Sequence, residues 1–245
     1  IPQWGVALTV KTLDLSHNSI AAITGDWDAW HSLTTLNLCD NQLTQLDSHS
    51  WTSLANVHGA SNDALQQLAL CNNRLIRVGT SPDFGLFTAL ESLDLSGNQL
   101  QEFAVQAEEE HKSAPLEWHN LRSLDLSSNQ LSRIPQWPGL PRLERLDLAF
   151  NQLASLPHLS GLASLRQLNL ENNRLRVLNA SLMQGLRWLQ RICLAHNELH
   201  LMEPGCFQHM PAVRYIELDN NHLHTLHSGS FSGLHGLTHL QLSNN

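Results

Sequence analysis

Leu121-Arg-Ser-Leu-Asp-Leu-Ser-Ser-Asn-Gln-Leu131 is the stretch whose reading decides the fold. Its grammar is L-x-x-L-x-L-x-x-N-x-L. Leu124 and Leu126 lie two apart, the period of a short strand that buries one face. Asn129 follows. It is a turn residue whose side-chain amide both donates and accepts, so it can satisfy backbone groups where the chain leaves the strand. A unit this small cannot bury its apolar face alone and needs copies of itself on either side.

The copies are present. The phrase begins at Val10, Leu33, Leu65, Leu90, Leu121, Leu143, Leu165, Leu189, Val213 and Leu237. Its asparagines are Asn18, Asn41, Asn73, Asn98, Asn129, Asn151, Asn173, Asn197, Asn221 and Asn245, at successive spacings of 23, 32, 25, 31, 22, 22, 24, 24 and 24. Ten matches in register are a far stronger signal than one motif hit.

The pattern resembles the leucine-rich repeat superfamily. The 24-residue repeats, as at Gly229-Ser-Phe-Ser-Gly-Leu234, are similar to the Toll-like-receptor type. The 22-residue repeats, as at Leu156-Pro-His-Leu-Ser-Gly-Leu162, are similar to a shorter class. The resemblance implies an α/β solenoid: a horseshoe with a parallel β-sheet on its concave face and loops or short 3-10 or helical turns on its convex face. We expect a single solenoid of about ten repeats over residues 1–245, without a polar cap at either end. Stacked aromatics should form a spine behind the sheet, from Trp27, Trp30, Phe84, Phe87, Phe207 and Phe231. Inserted loops are expected near 58–64 and 104–115. Loops are where solenoids often place recognition. Glu108, Glu109 and Glu110 are therefore candidate contacts, with a solvated bulge as the alternative.

Composition narrows the function. The formal charge of -8 argues against nucleic-acid binding at neutral pH. Lys11 and Lys112 are the only lysines. No apolar run approaches the length of a membrane span. Four cysteines are present, of which Cys39 and Cys71 occupy the same position in consecutive repeats. Neighbouring strands lie about 4.8 Å apart. A disulfide and a pair of unbonded small side chains are both open readings, so the compartment is not fixed by them. Asn179-Ala-Ser181 is a glycosylation sequon.

On the concave face, side chains point outward between the two strand leucines and two positions to either side. The first five repeats place small, polar, mildly acidic residues there. Later repeats place Arg145, Arg191, Tyr215 and His239, with Phe150 beside the strand. Nine of the twelve arginines fall between Arg122 and Arg191. Arginine and aromatic residues carry interface hot spots. The candidate partner-binding residues are Arg122, Arg145, Asp147, Phe150, Arg191, Tyr215, Glu217 and His239. The alternative is that the arginines pair with the acidic column and only solubilise the sheet, at about 0–1 kcal/mol per pair.

Histidine is abundant, with eight of fifteen in the last fifty residues. Mild acid charges imidazoles. An acid-dependent receptor domain for an anionic ligand, of endosomal type, is thus one alternative. His222-x-His224-x-x-His227 has the spacing of metal ligands, but exposed histidines explain it better, and no metal or cofactor is expected. No G-x-S-x-G, P-loop, G-x-G-x-x-G or H-E-x-x-H string occurs. The expectation is a non-catalytic scaffold that binds a protein partner, of extracellular or cell-surface receptor type. A substrate-recognition module of a larger bacterial effector enzyme, secreted or cytosolic, is the other alternative.

Overall fold

The computed structural model describes residues 9–23, 30, 32–46, 65–78, 87–103, 118–134 and 140–245. The loops expected at 58–64 and 104–115, with Glu108, Glu109 and Glu110, lie outside the described residues, as do Trp27 and Phe84. The chain forms two compact units, residues 1–124 and 125–245.

Every copy of the phrase yields a three-residue strand. In the first unit these are β1 (Thr12–Asp14), β2 (Thr35–Asn37), β3 (Gln67–Ala69) and β5 (Ser92–Asp94), with a two-residue β4 (Arg77–Val78) and β6 (Glu102–Phe103) behind them. β7 (Ser123–Asp125) stands where the units divide. The second unit holds β8 (Arg145–Asp147), β9 (Gln167–Asn169), β11 (Arg191–Cys193), β13 (Tyr215–Glu217) and β14 (His239–Gln241), with β10 (Val177–Leu178) and β12 (Leu201–Met202) behind. All described pairings are parallel and equate identical repeat positions: Leu13, Leu36, Leu68 and Leu93 align in one unit, Leu146, Leu168, Ile192, Ile216 and Leu240 in the other. Repeat position therefore translates directly into columns of like side chains.

The apolar columns are the core. Leu36, Leu38, Leu68, Leu70, Leu93 and Leu95 are buried in the first unit; Leu146, Leu148, Leu168, Leu170, Ile192, Leu194, Ile216 and Leu218 in the second. Behind them, Phe207 stacks on Phe231 with centroids 6.1 Å apart, and Phe103 meets Trp118 at 6.3 Å. Trp30 and Phe87 are buried as the spine requires. The return path is made of turns, with bonds such as Leu182 N–H to Asn179 C=O, Cys206 N–H to Glu203 C=O and Ser230 N–H to His227 C=O. These are turns closed between residues three apart, and among the described residues no α-helix forms.

Each asparagine works as a bracket between turns. Asn173 donates Nδ2 to Leu148 O of the preceding repeat at 2.9 Å and to Leu170 O of its own at 3.2 Å. Its Oδ1 accepts the N–H of Leu153 at 3.0 Å. Asn41, Asn73 and Asn98 repeat the arrangement in the first unit; Asn151, Asn197 and Asn221 repeat it in the second. All seven are buried. A buried amide is tolerated only when its groups are satisfied, and here it satisfies the backbone in return.

The residue just before each bracket has positive φ. It is His17, Asp40, Asn72, Gly97, Ser128, Phe150, Asn172, His196, Asn220 and Asn244. The chain must reverse there in one residue, and polar residues with short or local hydrogen-bonding side chains tolerate that conformation best. Phe150, at φ 55°, is the exception.

Candidate functional site

In the second unit, β8, β9, β11 and β13 set Arg145, Gln167, Arg191 and Tyr215 in one column, and β14 adds His239. All five are exposed. The alternation of the strand turns them outward because Leu146, Leu168, Ile192 and Ile216 turn in. Tyr215 lies over His239 with centroids 4.5 Å apart and 18° between the planes. Arg191 Nη2 meets Glu217 Oε1 at 2.7 Å. Phe150 leaves the end of β8 and is 53% exposed. The structure thus brings six of the expected residues, Arg145, Asp147, Arg191, Tyr215, Glu217 and His239, to one sheet face, with Phe150 exposed three residues beyond the end of β8. Arg122 belongs to the first unit, where its Nε stands 3.9 Å from Glu91.

The acidic column has a second duty that composition did not reveal. Asp147 Oδ1 accepts the N–H of Ala149 at 2.9 Å, and its Oδ2 accepts Nδ2 of Asn169 at 3.0 Å. Asp94 and Asp125 accept the N–H two residues on in the same way, and Asn37 and Asn169 do so with their amide oxygens. These side chains close the turns that end their own strands. At Asp14 the hydroxyl and N–H of Ser16 hold the carboxyl below the usual carboxylate range.

Cys193 occupies the same column but is only 6% exposed. Burial, with Glu217 beside it, pushes its thiol up to about 12. It is an inert packing group. Cys206 is also buried and raised to about 12, chiefly by burial. Cys39 and Cys71 are bonded as a disulfide across β2 and β3. With Asp94 they place three metal-type donor atoms within 4.8 Å, but sulfurs joined to each other offer no thiolates. Among the described residues, His222, His224 and His227 gather into no such group, and each is exposed. Asn179 is half-buried at the start of a turn.

Two exposed features escaped the sequence reading. Trp188, 63% exposed, precedes the phrase at Leu189. A groove of about 620 Å³ opens between turns of the second unit, lined by Gln184, Arg187, Gln208, His209 and His235 among others. The special place of Phe150 did have a signal: in the other nine repeats the residue before the asparagine is His, Asp, Asn, Gly or Ser.

The family model described as leucine rich repeat matches residues 9–58, 141–199, 163–223 and 187–245. A two-copy model of the same repeat matches 119–161, and a single-copy model 89–106. Among solved structures, a leucine-rich repeat protein of Leptospira interrogans is 23% identical with a TM-score of 0.75, over 95% of this chain and 60% of that one. Internalin C2 of Listeria monocytogenes is 23% identical with a TM-score of 0.65, over 85% of this chain and 80% of that one. TLR13, in complex with ssRNA13, is 23% identical with a TM-score of 0.63, over 93% of this chain and 35% of that one. At these identities the likeness is one of fold. The chain spans 60% of the Leptospira protein's length and about a third of TLR13's.

Proposed function

The chain belongs to the leucine-rich repeat family, and we propose that it is a non-catalytic recognition scaffold whose second unit binds a protein partner through its sheet face. The observation that carries this reading is Phe150. A bulky side chain in the left-handed region costs roughly 1–2 kcal/mol, and half of this one faces water. A residue that is unfavourable for the backbone and little used by the core is best explained by an outside contact. Tyr215 and Arg191, in register on β13 and β11, supply the other hot-spot residue types on the sheet face. A partner spanning several strands would bury about 800 Å² on each side, a standard interface.

An extracellular or cell-surface setting agrees with the Cys39–Cys71 disulfide and with the sequon at Asn179. A second reading, acid-dependent capture of an anionic ligand, has the groove holding Arg187, His209 and His235 behind it. Binding of such a ligand at pH 5.5 and not at 7.4 would favour it.

The test of the main reading is selection of binders from a displayed library of random 12-residue peptides. The recovered pool is then challenged with the double variant Phe150→Ala/Tyr215→Ala. Loss of retention, at an unchanged melting temperature, is the expected result. A pool that binds the double variant as well as the parent places the interface elsewhere.

A further inference from the structure

We propose that the protein surface recognised by this face is basic, presenting lysine or arginine side chains to it. The inference rests on the face proposed above and names its partner's chemistry. It follows from where the second unit keeps its charges. Residues 125–245 hold nine arginines, no lysine and eight carboxylates, a formal +1 with histidine neutral. Five of the eight carboxylates, Asp125, Asp147, Glu171, Glu217 and Asp219, fall at outward positions of the sheet face. Only two of the nine arginines do, Arg145 and Arg191, which gives the face a formal -3. Arg191 is moreover taken up by Glu217 at 2.7 Å. Arg166 and Arg214 stand one residue ahead of β9 and β13, at the rim where strands begin, and Arg166 meets Glu144 there at 3.5 Å. Glu171 and Asp219 lie two residues past the ends of the same strands, at the other rim.

The fold does not require these charges. The turn after a strand needs an acceptor for the N–H two residues on, and Asn37 and Asn169 supply one with a neutral amide, at 3.0 and 3.2 Å. Asp125 and Asp147 make the same bond at 2.9 Å with a carboxylate. Hydrogen bonds from neutral donors favour the charged form of a carboxylate and leave its charge in place. Glu171 stands where the flanking repeats carry Ala149 and Ala195, and Asp219 where other repeats carry Ser127 and Ser243. Charge that the turns can do without is left to act on whatever approaches the face.

The aromatic rings suit the same partner. Phe150 N–H donates to Glu171 O at 2.9 Å, so an exposed ring and a carboxylate rise from bonded stretches of adjacent repeats. Tyr215 and Glu217 belong to one strand, both at outward positions. A ring face and a carboxylate each attract an ammonium or a guanidinium, and the attraction strengthens as the approaching surface displaces water. An acidic partner would set like charge against these carboxylates, whereas a basic one is steered toward them.

The peptide pool selected above provides the probe. Sequencing should show enrichment in Lys and Arg over the starting library. Asp147→Asn/Glu171→Gln removes two charges, keeps both acceptors, and should lower retention of that pool roughly tenfold or more. Glu198→Gln/Glu203→Gln makes the same change in net charge away from the sheet face, and should leave retention within about twofold. Glu171→Ala puts the residue of the flanking repeats at this position and spares the turn acceptor at Asp147. It should weaken retention in the same direction, which separates the effect of charge from any loss of fold. A pool that is neutral or acidic, yet lost on the Phe150→Ala/Tyr215→Ala variant, overturns the basic partner while leaving the face intact. Equal losses for the two double charge variants also overturn it, because bulk charge would then be the cause. So does a basic pool that is retained in full by Asp147→Asn/Glu171→Gln and by Glu171→Ala. A pool indifferent to Phe150→Ala/Tyr215→Ala removes the face and this inference together.

Discussion

Phe150 shows how much one backbone angle can say. Its neighbours in the column, Ser128 and Asn172, suit the same conformation with less strain. Phe150→Asn should therefore stabilise the protein by roughly 0.5–1 kcal/mol, read as a higher melting temperature, while weakening partner binding. A gain in stability with binding unchanged would mean that the ring does nothing outside the fold. Cys193 and Cys206 make a different point. Their folded thiols are raised to about 12 from a reference near 9. Between those limits the unfolded chain gives up protons that the folded chain keeps, so stability should fall as pH rises from about 9 toward 12. At pH 8 both thiols should resist a disulfide-exchange reagent until the chain unfolds. Fast labelling of the native protein would show that Cys193 is open to solvent.

Among elements, the unit of stability is a strand together with the turn that brackets it to the next. Asn173→Ala removes the acceptor of the Leu153 N–H and the donor to Leu148 O and Leu170 O, all in a buried setting. Unfolding by urea should show a loss of roughly 2–4 kcal/mol. The loss should appear in hydrogen exchange of β8 and β9 before other strands. A disulfide between β2 and β3 closes a long loop, since its cysteines are 32 residues apart. Removing it with Cys71→Ser should cost roughly 3–4 kcal/mol by loop-closure entropy. Exchange should accelerate in β1 to β3, and an unaltered pattern there would show the bond to be dispensable.

At the scale of the whole molecule the charges matter more than the contacts. A charge on the sheet face acts through solvent, and its reach shortens from about 10 Å in 0.1 M salt to about 3 Å in 1 M. Retention of the selected peptides should therefore weaken as sodium chloride rises from low to molar concentration. It should not vanish, because the rings of Phe150 and Tyr215 bury apolar area that salt does not screen. Complete insensitivity to salt would leave the carboxylates of the face without a role. Complete loss would leave the rings without one.

The sequence by itself determined the repeat, the strand positions, the buried leucine columns and the asparagine brackets. Each of these depends on residues within one short phrase, and copying the phrase copies the physics. It also placed Arg145, Arg191, Tyr215 and His239 on one face, because strand alternation is a local rule. What it left open, tertiary structure decided. Cys39 and Cys71 are far apart in the chain and become bonded only because β2 and β3 pair in register. Cys193 reads as an outward residue and is buried by its neighbours across strands. Asp147 reads as a surface charge, yet it is shared between its own turn and Asn169 on the next strand. The Asp147–Asn169 and Arg191–Glu217 contacts join groups more than twenty residues apart, and no local pattern records that distance.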